Sequence, residues 1–320
     1  MGATGAKSGI KLGIESTWGT PATLKYLLPF TSESLNYKVE TSKSEAILNT
    51  RGTKAIAPGK EGVSGSIEVE AYPKISGLLF YLALGKASLK DPDEDANSGD
   101  EYIEVKPIGI SEELPSVTAR VNHGGVKTLD YTGLRVNTLN FEGSVGAIPK
   151  ISMDLVGLAE SENVATEGTV ETLDKEPFYF KELLLSKDGV TYNVNNYSDI
   201  KFSISNNIDE DEYALDGTGK RRGLGAGALE ITGNATLILD SSAFSGEYTK
   251  FKQWQTFELY IKLSKSGKDL IVRLPMLQIT EATHDVGGKD KITMNLKFEA
   301  LEDETYGPIV VEDHWRTTLY

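Results

Sequence analysis

Asp93, Asp95, Asn97, Glu101 and Glu104 occupy positions one, three, five, nine and twelve of a calcium-loop spacing, in which oxygen ligands wrap a hard cation. Ser98 stands where that loop turns on glycine, and a strand-like run at 102–105 follows where a helix belongs, so the segment reads as a plain acidic loop. The glycine-rich run 217–227 resembles a phosphate cradle, but Arg221 follows Lys220 where Ser or Thr would hold magnesium, and the next element reads as a strand at 229–239. His123, His284 and His314 are far apart, each in a turn or tail, and read as surface residues. With no cysteine there is no thiol nucleophile, thiolate metal site or disulfide. No serine elbow or paired-carboxylate motif stands out. Neither a cofactor nor enzymatic activity is expected.

Whatever these residues do, their scaffold must place them. The 320 residues suffice for about two domains on a prior of roughly 100 to 200 residues each. Thirty-three basic against 47 acidic residues leave a net charge of −14 and a pI near 4.8, which argues against a surface that captures nucleic-acid phosphate. No apolar run approaches the roughly 20 residues of a membrane span, so no membrane insertion is expected. Residues 1–20 lack the pattern of a secretory signal, and Ala6 replaces the Ser or Thr of a myristoylation site.

Glycine, Asn and Asp punctuate short segments of alternating apolar residues, which is strand and turn patterning. Residues 66–72, 117–121, 136–141, 151–155, 200–204, 257–263 and 292–298 alternate, and Asp188-Gly189 reads as a hairpin turn ahead of 190–192. Helices are expected at 75–84 and at 243–254, the latter with Phe244, Tyr248, Phe251 and Trp254 on one stripe and Ser241 or Ser242 as cap. The order of elements repeats. Residues 63–69 match 231–237 at an offset of 168 (231 against 63), and 150–155 match 291–296 at 141 (291 against 150). The difference of 27 places an acidic insertion at 86–114 of the first copy. The expected organisation is mainly β: two tandem β-sandwich or barrel domains, each with one short flanking helix. They cover 1–160 with an N-terminal arm and 177–302, joined by a linker at 161–176 and followed by a C-terminal arm at 303–320.

Gly13-Ile14-Glu15-Ser16-Thr17-Trp18-Gly19-Thr20-Pro21-Ala22, then Leu28-Pro29-Phe30-Thr31-Ser32-Glu33-Ser34-Leu35, resembles the opening of tail tube proteins of long-tailed, siphovirus-type bacteriophages. Ser44-Glu45, Arg51-Gly52, Gly62-Val63-Ser64-Gly65-Ser66-Ile67-Glu68 and the Leu78-Leu79 helix ending at Gly85 are similar to the same family. The resemblance implies β units polymerised side by side around a channel, usually six to a ring. With two units per chain it implies trimeric, pseudo-sixfold rings stacked into a tube through which DNA is ejected. The implied partners are the chain itself, the tape measure, tail terminator and distal tail proteins, and DNA in transit. The implied location is the virion tail, assembled in the host cytoplasm.

The long loops 41–60 and 206–227 are, by the resemblance, candidates for inter-ring contact through Arg51, Lys54, Lys60, Asp209, Glu210, Asp211, Glu212, Lys220, Arg221 and Arg222. Ile309, Val311, Trp315 and Leu319 mark the C-terminal arm as a docking element, either on a neighbour or on the chain's own barrel. Residues 91–104 hold seven acids and no base, and 209–212 four acids; these clusters face either the bore or the outside. A carbohydrate-binding or adhesive two-domain β-sandwich module is the alternative function.

Overall fold

A computed structural model describes residues 2–47, 49, 51–92, 100–171, 176–189, 192, 194, 196–286 and 291–320. Asp93, Asp95 and Asn97 of the calcium-like spacing, and residues 190 and 191 of the expected hairpin, lie outside them.

The chain is mainly β, with two short helical segments besides single 3-10 turns. In the first half Asn36–Lys43 pairs with Ile56–Glu70, which pairs with Lys150–Gly157, which pairs with Lys127–Ser144. In the second, Tyr197–Ser205 pairs with Glu230–Ile238, then Thr293–Ala300, then Lys268–Thr283. Val117–His123 and Thr256–Lys265 each form a hairpin with the start of the long strand in their half. All of these ladders are antiparallel.

The irregularities coincide too. The first long strand slips register between Tyr131 and Leu134 and between Val136 and Thr138. The second slips between Leu274 and Leu277 and between Ile279 and Glu281, each 143 positions later (279 against 136). Pairing also corrects one sequence match. Ile67 faces Met153 and Ala235 faces Leu296, whereas the sequence offset of 141 equates Met153 with Met294. A slip of two residues leaves every side chain on the same face, so apolar alternation is blind to it.

The halves join within the sheet. Lys127–Ser144 pairs on its other edge with Tyr197–Ser205, from Thr138 opposite Ser205 to Ser144 opposite Asp199. One face of this continuous sheet carries Ile67, Val69, Leu139, Phe141, Phe202 and Ile204, each at most 2% exposed. The helix Ile75–Leu84 lies beneath the join and is buried at every position except Tyr81. There Phe202 stacks on Phe141 at 5.3 Å and on Phe80 at 6.3 Å. Asn206 Nδ2 donates to the carbonyls of Ala83 and Val136, both at 2.9 Å.

The second helix differs from expectation. It runs as Ser241–Ala243, a π turn Phe244–Tyr248, and Thr249–Gln253, capped by Asp240, whose side chain accepts from Ala243 N at 2.8 Å. Ala243 and Glu247 turn inward, and of the expected aromatic stripe Tyr248 and Phe251 pack against the core while Phe244 is 39% and Trp254 65% exposed.

The insertion is more than an acidic loop. Gly85–Lys90 and Tyr102–Pro107 form a hairpin, with Ile103 and Val105 buried. Tyr102–Pro107 in turn pairs with the C-terminal strand Val310–Asp313, which also pairs with Lys268–Thr283. The C-terminal arm thus seats on its own chain: Ile309 and Val311 are fully buried and Trp315 meets Phe178 edge-on at 6.1 Å, while Leu319 is exposed. Asp313 accepts from Tyr320 Oη at 2.8 Å and Trp315 N at 3.0 Å. Burial pushes its carboxyl upward against those donors. The carboxylate lies directly over the first helix, where a Cβ on Gly77 would sit 2.0 Å from Asp313 Oδ2. Gly77→Ala is therefore expected to destabilise the fold by about 1–3 kcal/mol through overpacking, read as a lower urea midpoint at unchanged slope.

Candidate assembly surfaces

The loop 206–229 lies across the first half of the chain. Lys60 Nζ meets Asp211 Oδ1 at 2.7 Å, and Tyr213 Oη donates to the Glu61 carbonyl at 3.1 Å. Arg221 donates to the carbonyls of Gly157 at 2.8 Å, Glu210 at 3.0 Å and Val63 at 3.2 Å, and its Nη2 reaches Glu210 Oε2 at 3.2 Å. Five of the ten loop residues are thereby accounted for: Lys60, Glu210, Asp211 and Arg221 cluster, and Lys220 bridges to Glu61 through its backbone. Glu212 lies beside Gly223 and accepts from Arg222 N through its carbonyl, and Asp209 Oδ1 accepts from Asp211 N. The side chains of Arg51, Lys54 and Arg222 are exposed, as are Ile47 at the first loop's tip and Leu215 at the second's.

The other face of the continuous sheet is polar. Ser66, Ser152, Asn140, Ser203, Asn234 and Asn295 alternate with the buried positions of their strands. Three lysines on it are each matched to a glutamate on the neighbouring strand: Lys150 to Glu68 at 2.9 Å, Lys201 to Glu142 at 2.8 Å and Lys297 to Glu281 at 2.7 Å. Lys150 draws the Glu68 carboxyl below its usual range. At one end of this sheet, Phe30–Glu33 and Asn36–Lys43 pair only with Ile56–Glu70, leaving their outer edge without a ladder among the described residues. At the other end the same holds for residues 279–283 of the last long strand.

Patterning did not reveal the polar nodes that hold the N-terminal segment in place. Glu15 is buried and accepts from Gly19 N, Gly133 N, Ser116 Oγ and Thr118 Oγ1, each at 2.8 Å. Arg120 grips Asp130 with two donors at 2.6 and 2.7 Å and reaches Glu167 at 2.7 Å. Lys11 meets Glu167 as well. Described residues of the segment expected as a linker are thus tied down: Thr166–Glu167 pairs with Thr23–Leu24, and Arg316 donates twice to Glu171. Burial alone would raise the Asp130 carboxyl, but Arg120 and the amide of Ala165 outweigh it and hold it low. Lys11 first, and Arg120 with it, does the same for Glu167.

The histidines are not brought together. His314 stacks on Tyr102, His284 meets Phe244 and Tyr248, and His123 lies near Glu33. Among the described residues no group of three or more His, Asp or Glu is placed to hold a metal, and no helix is long and apolar enough to cross a membrane.

The sheet is continuous and antiparallel, with one polar face and two edges that carry no ladder among the described residues, and edges of that kind invite pairing with a further strand. The family model described as phage tail tube protein matches residues 5–300, and the chain belongs to that family. It is a structural protein of the phage tail. No curated protein matches it.

Asp130 and Glu167 have depressed folded-state pKa values, so their contribution is complete above the ordinary carboxylate range and is lost as pH falls through the lowered values. Asp130→Asn is expected to cost about 3 kcal/mol at neutral pH, because it breaks a buried pair, and to flatten the acid limb of stability against pH. Urea titrations across that limb check both.

Proposed function

We propose that the chain is the major tail tube subunit of a long-tailed, siphovirus-type phage, assembling as trimeric rings that stack into a hollow tube for DNA ejection into the host. The observation that carries this reading is the pairing of Lys127–Ser144 with Tyr197–Ser205, a side-by-side junction between two halves with the same strand order. We read those halves as copies of one β domain, 1–160 and 177–302. Three chains then supply six copies, and a head-to-tail contact whose rotation closes yields a ring. Assembly would take place in the host cytoplasm, with the tape measure, terminator and distal tail proteins as partners.

In this reading the polar face of the sheet lines the bore. A conduit must not hold DNA, and each phosphate neutralised by a free Lys or Arg adds a sequence-independent grip. The pairing of Lys150, Lys201 and Lys297 with glutamates supports the assignment, since it cancels the cations that would adhere. The exposed residues 44–47, 49 and 51–55 and the tip at Leu215 reach toward the adjacent ring, with Arg51, Lys54 and Arg222 as polar contacts.

Cryo-electron microscopy of the assembled protein is expected to resolve rings of three chains with pseudo-sixfold symmetry; six chains per ring overturns the trimer. Replacing Glu68 and Glu142 together by Gln, which frees Lys150 and Lys201 away from the sheet's edges, is expected to leave tubes intact while slowing DNA ejection, most strongly at low salt. Unchanged ejection at every salt concentration removes the bore assignment.

A further inference from the structure

The joint inside the chain is a template for a joint between chains. Thr138 lies between Asp154 and Ser205. Its counterpart 143 positions later is Glu281, which pairs with Lys297 on one side and has no ladder on the other. On the opposite end of the sheet, Tyr197 and Asp199 straddle a register slip against Leu237 and Thr236, and Phe30 and Ser32 straddle the same slip against Val69 and Glu68. That fixes the offset of the two edge strands at 167 (197 against 30), which makes Lys38, Tyr37 and Asn36 the counterparts of Ser205, Ile204 and Ser203.

Burial says which counterparts lack their cover. Ile204, inside the joint, is fully buried, whereas Tyr37 is 38% exposed and every residue of Asn36–Lys43 is open to solvent. The first helix is buried beneath the joint, whereas the second leaves Phe244 and Trp254 open. His284, which corresponds to Phe141 of the buried aromatic stack, already lies against Phe244 at 5.2 Å and Tyr248 at 4.9 Å, with its Nδ1 buried and without a partner.

We infer that the edge strand 30–43 of one copy pairs antiparallel with residues 281–283 of a second copy in the register of the internal joint: Lys38 opposite Glu281, Tyr37 opposite Ala282 and Asn36 opposite Thr283. This deepens the tail tube reading and rests on it. The contact places a cation opposite an acid at Lys38 and Glu281, which favours this register over a slipped one. It brings the ring of Tyr37 toward the Phe244 side of the second helix, where the same chain's first half has Ile204. The partner is another copy because the only strand with the matching slip and the matching exposed face is at the far end of the same described sheet.

The chain has no cysteine, so introduced pairs report without background. Directly opposed residues on antiparallel strands fall within disulfide reach. Asn36→Cys/Thr283→Cys, both on the polar face, is expected to cross-link assembled protein under mild oxidation into a ladder ending at a closed trimer. Asn140→Cys/Ser203→Cys, the internal equivalent, calibrates the reaction within one chain. The slipped pair Asn36→Cys/Glu281→Cys is expected to stay at background. Hydrogen exchange on the unaltered chain gives a readout that needs no substitution: amides at 36–38 and 281–283 are expected to gain protection on assembly. Tubes that form with cross-linking only in the slipped pair, or with no gain of protection at these amides, overturn the register and leave the tail tube reading standing. Failure of the unaltered chain to form rings or tubes overturns both.

Discussion

The backbone ladder between Lys127–Ser144 and Tyr197–Ser205 is the constraint on which the molecule depends. A β edge that ends in solvent invites another strand, and here the first half offers its long strand to the second half. Once that ladder forms, Phe202 must stack over Phe141 and Phe80, Asn206 must satisfy the carbonyls at Ala83 and Val136, and the first helix is sealed. The loop 206–229 follows directly from the ladder and is delivered onto Lys60, Glu61 and Val63, where Arg221 binds three carbonyls. The two halves thus share one hydrophobic core.

Much of this was legible in the sequence because strands with one wet face write their periodicity plainly. Ile75–Leu84 has the bounds its bulky run and Gly85 indicate, and the alternating segments are strands. The register between the later matching segments was not legible, since a two-residue slip preserves the face. The second helix was legible only in part for a related reason: Phe244, Tyr248, Phe251 and Trp254 all have helical spacing, but spacing cannot tell Tyr248 and Phe251, which pack on the core, from Phe244 and Trp254, which are exposed. The π turn at Phe244–Tyr248 further shifts which residues point inward, putting Ala243 and Glu247 there.

The polar nodes were illegible for another reason. Glu15 gathers donors from Gly19, Ser116, Thr118 and Gly133, and Arg120 joins Asp130 to Glu167; such sets come together only through folding. The loop charges carried a partial signal. Opposite signs on 206–227 do pair, but Lys60 and Arg221 serve the chain's own body. Of the acids at 209–212, Asp211 engages Lys60 and Glu210 engages Arg221.

The hairpin inserted after the first helix has a consequence for how the chain reaches this state. Val105 faces Val311, which is 206 positions later (311 against 105). A contact so distant in sequence must wait until Val311 has been synthesised and carries a large loop-closure entropy. Both edges left open among the described residues belong to segments made earlier, so a nascent chain displays them before Val310–Asp313 has locked the long hairpin in place. On a crowded polysome, the order of synthesis itself becomes a hazard of premature association, and the speed with which Val310–Asp313 docks sets how long that hazard lasts.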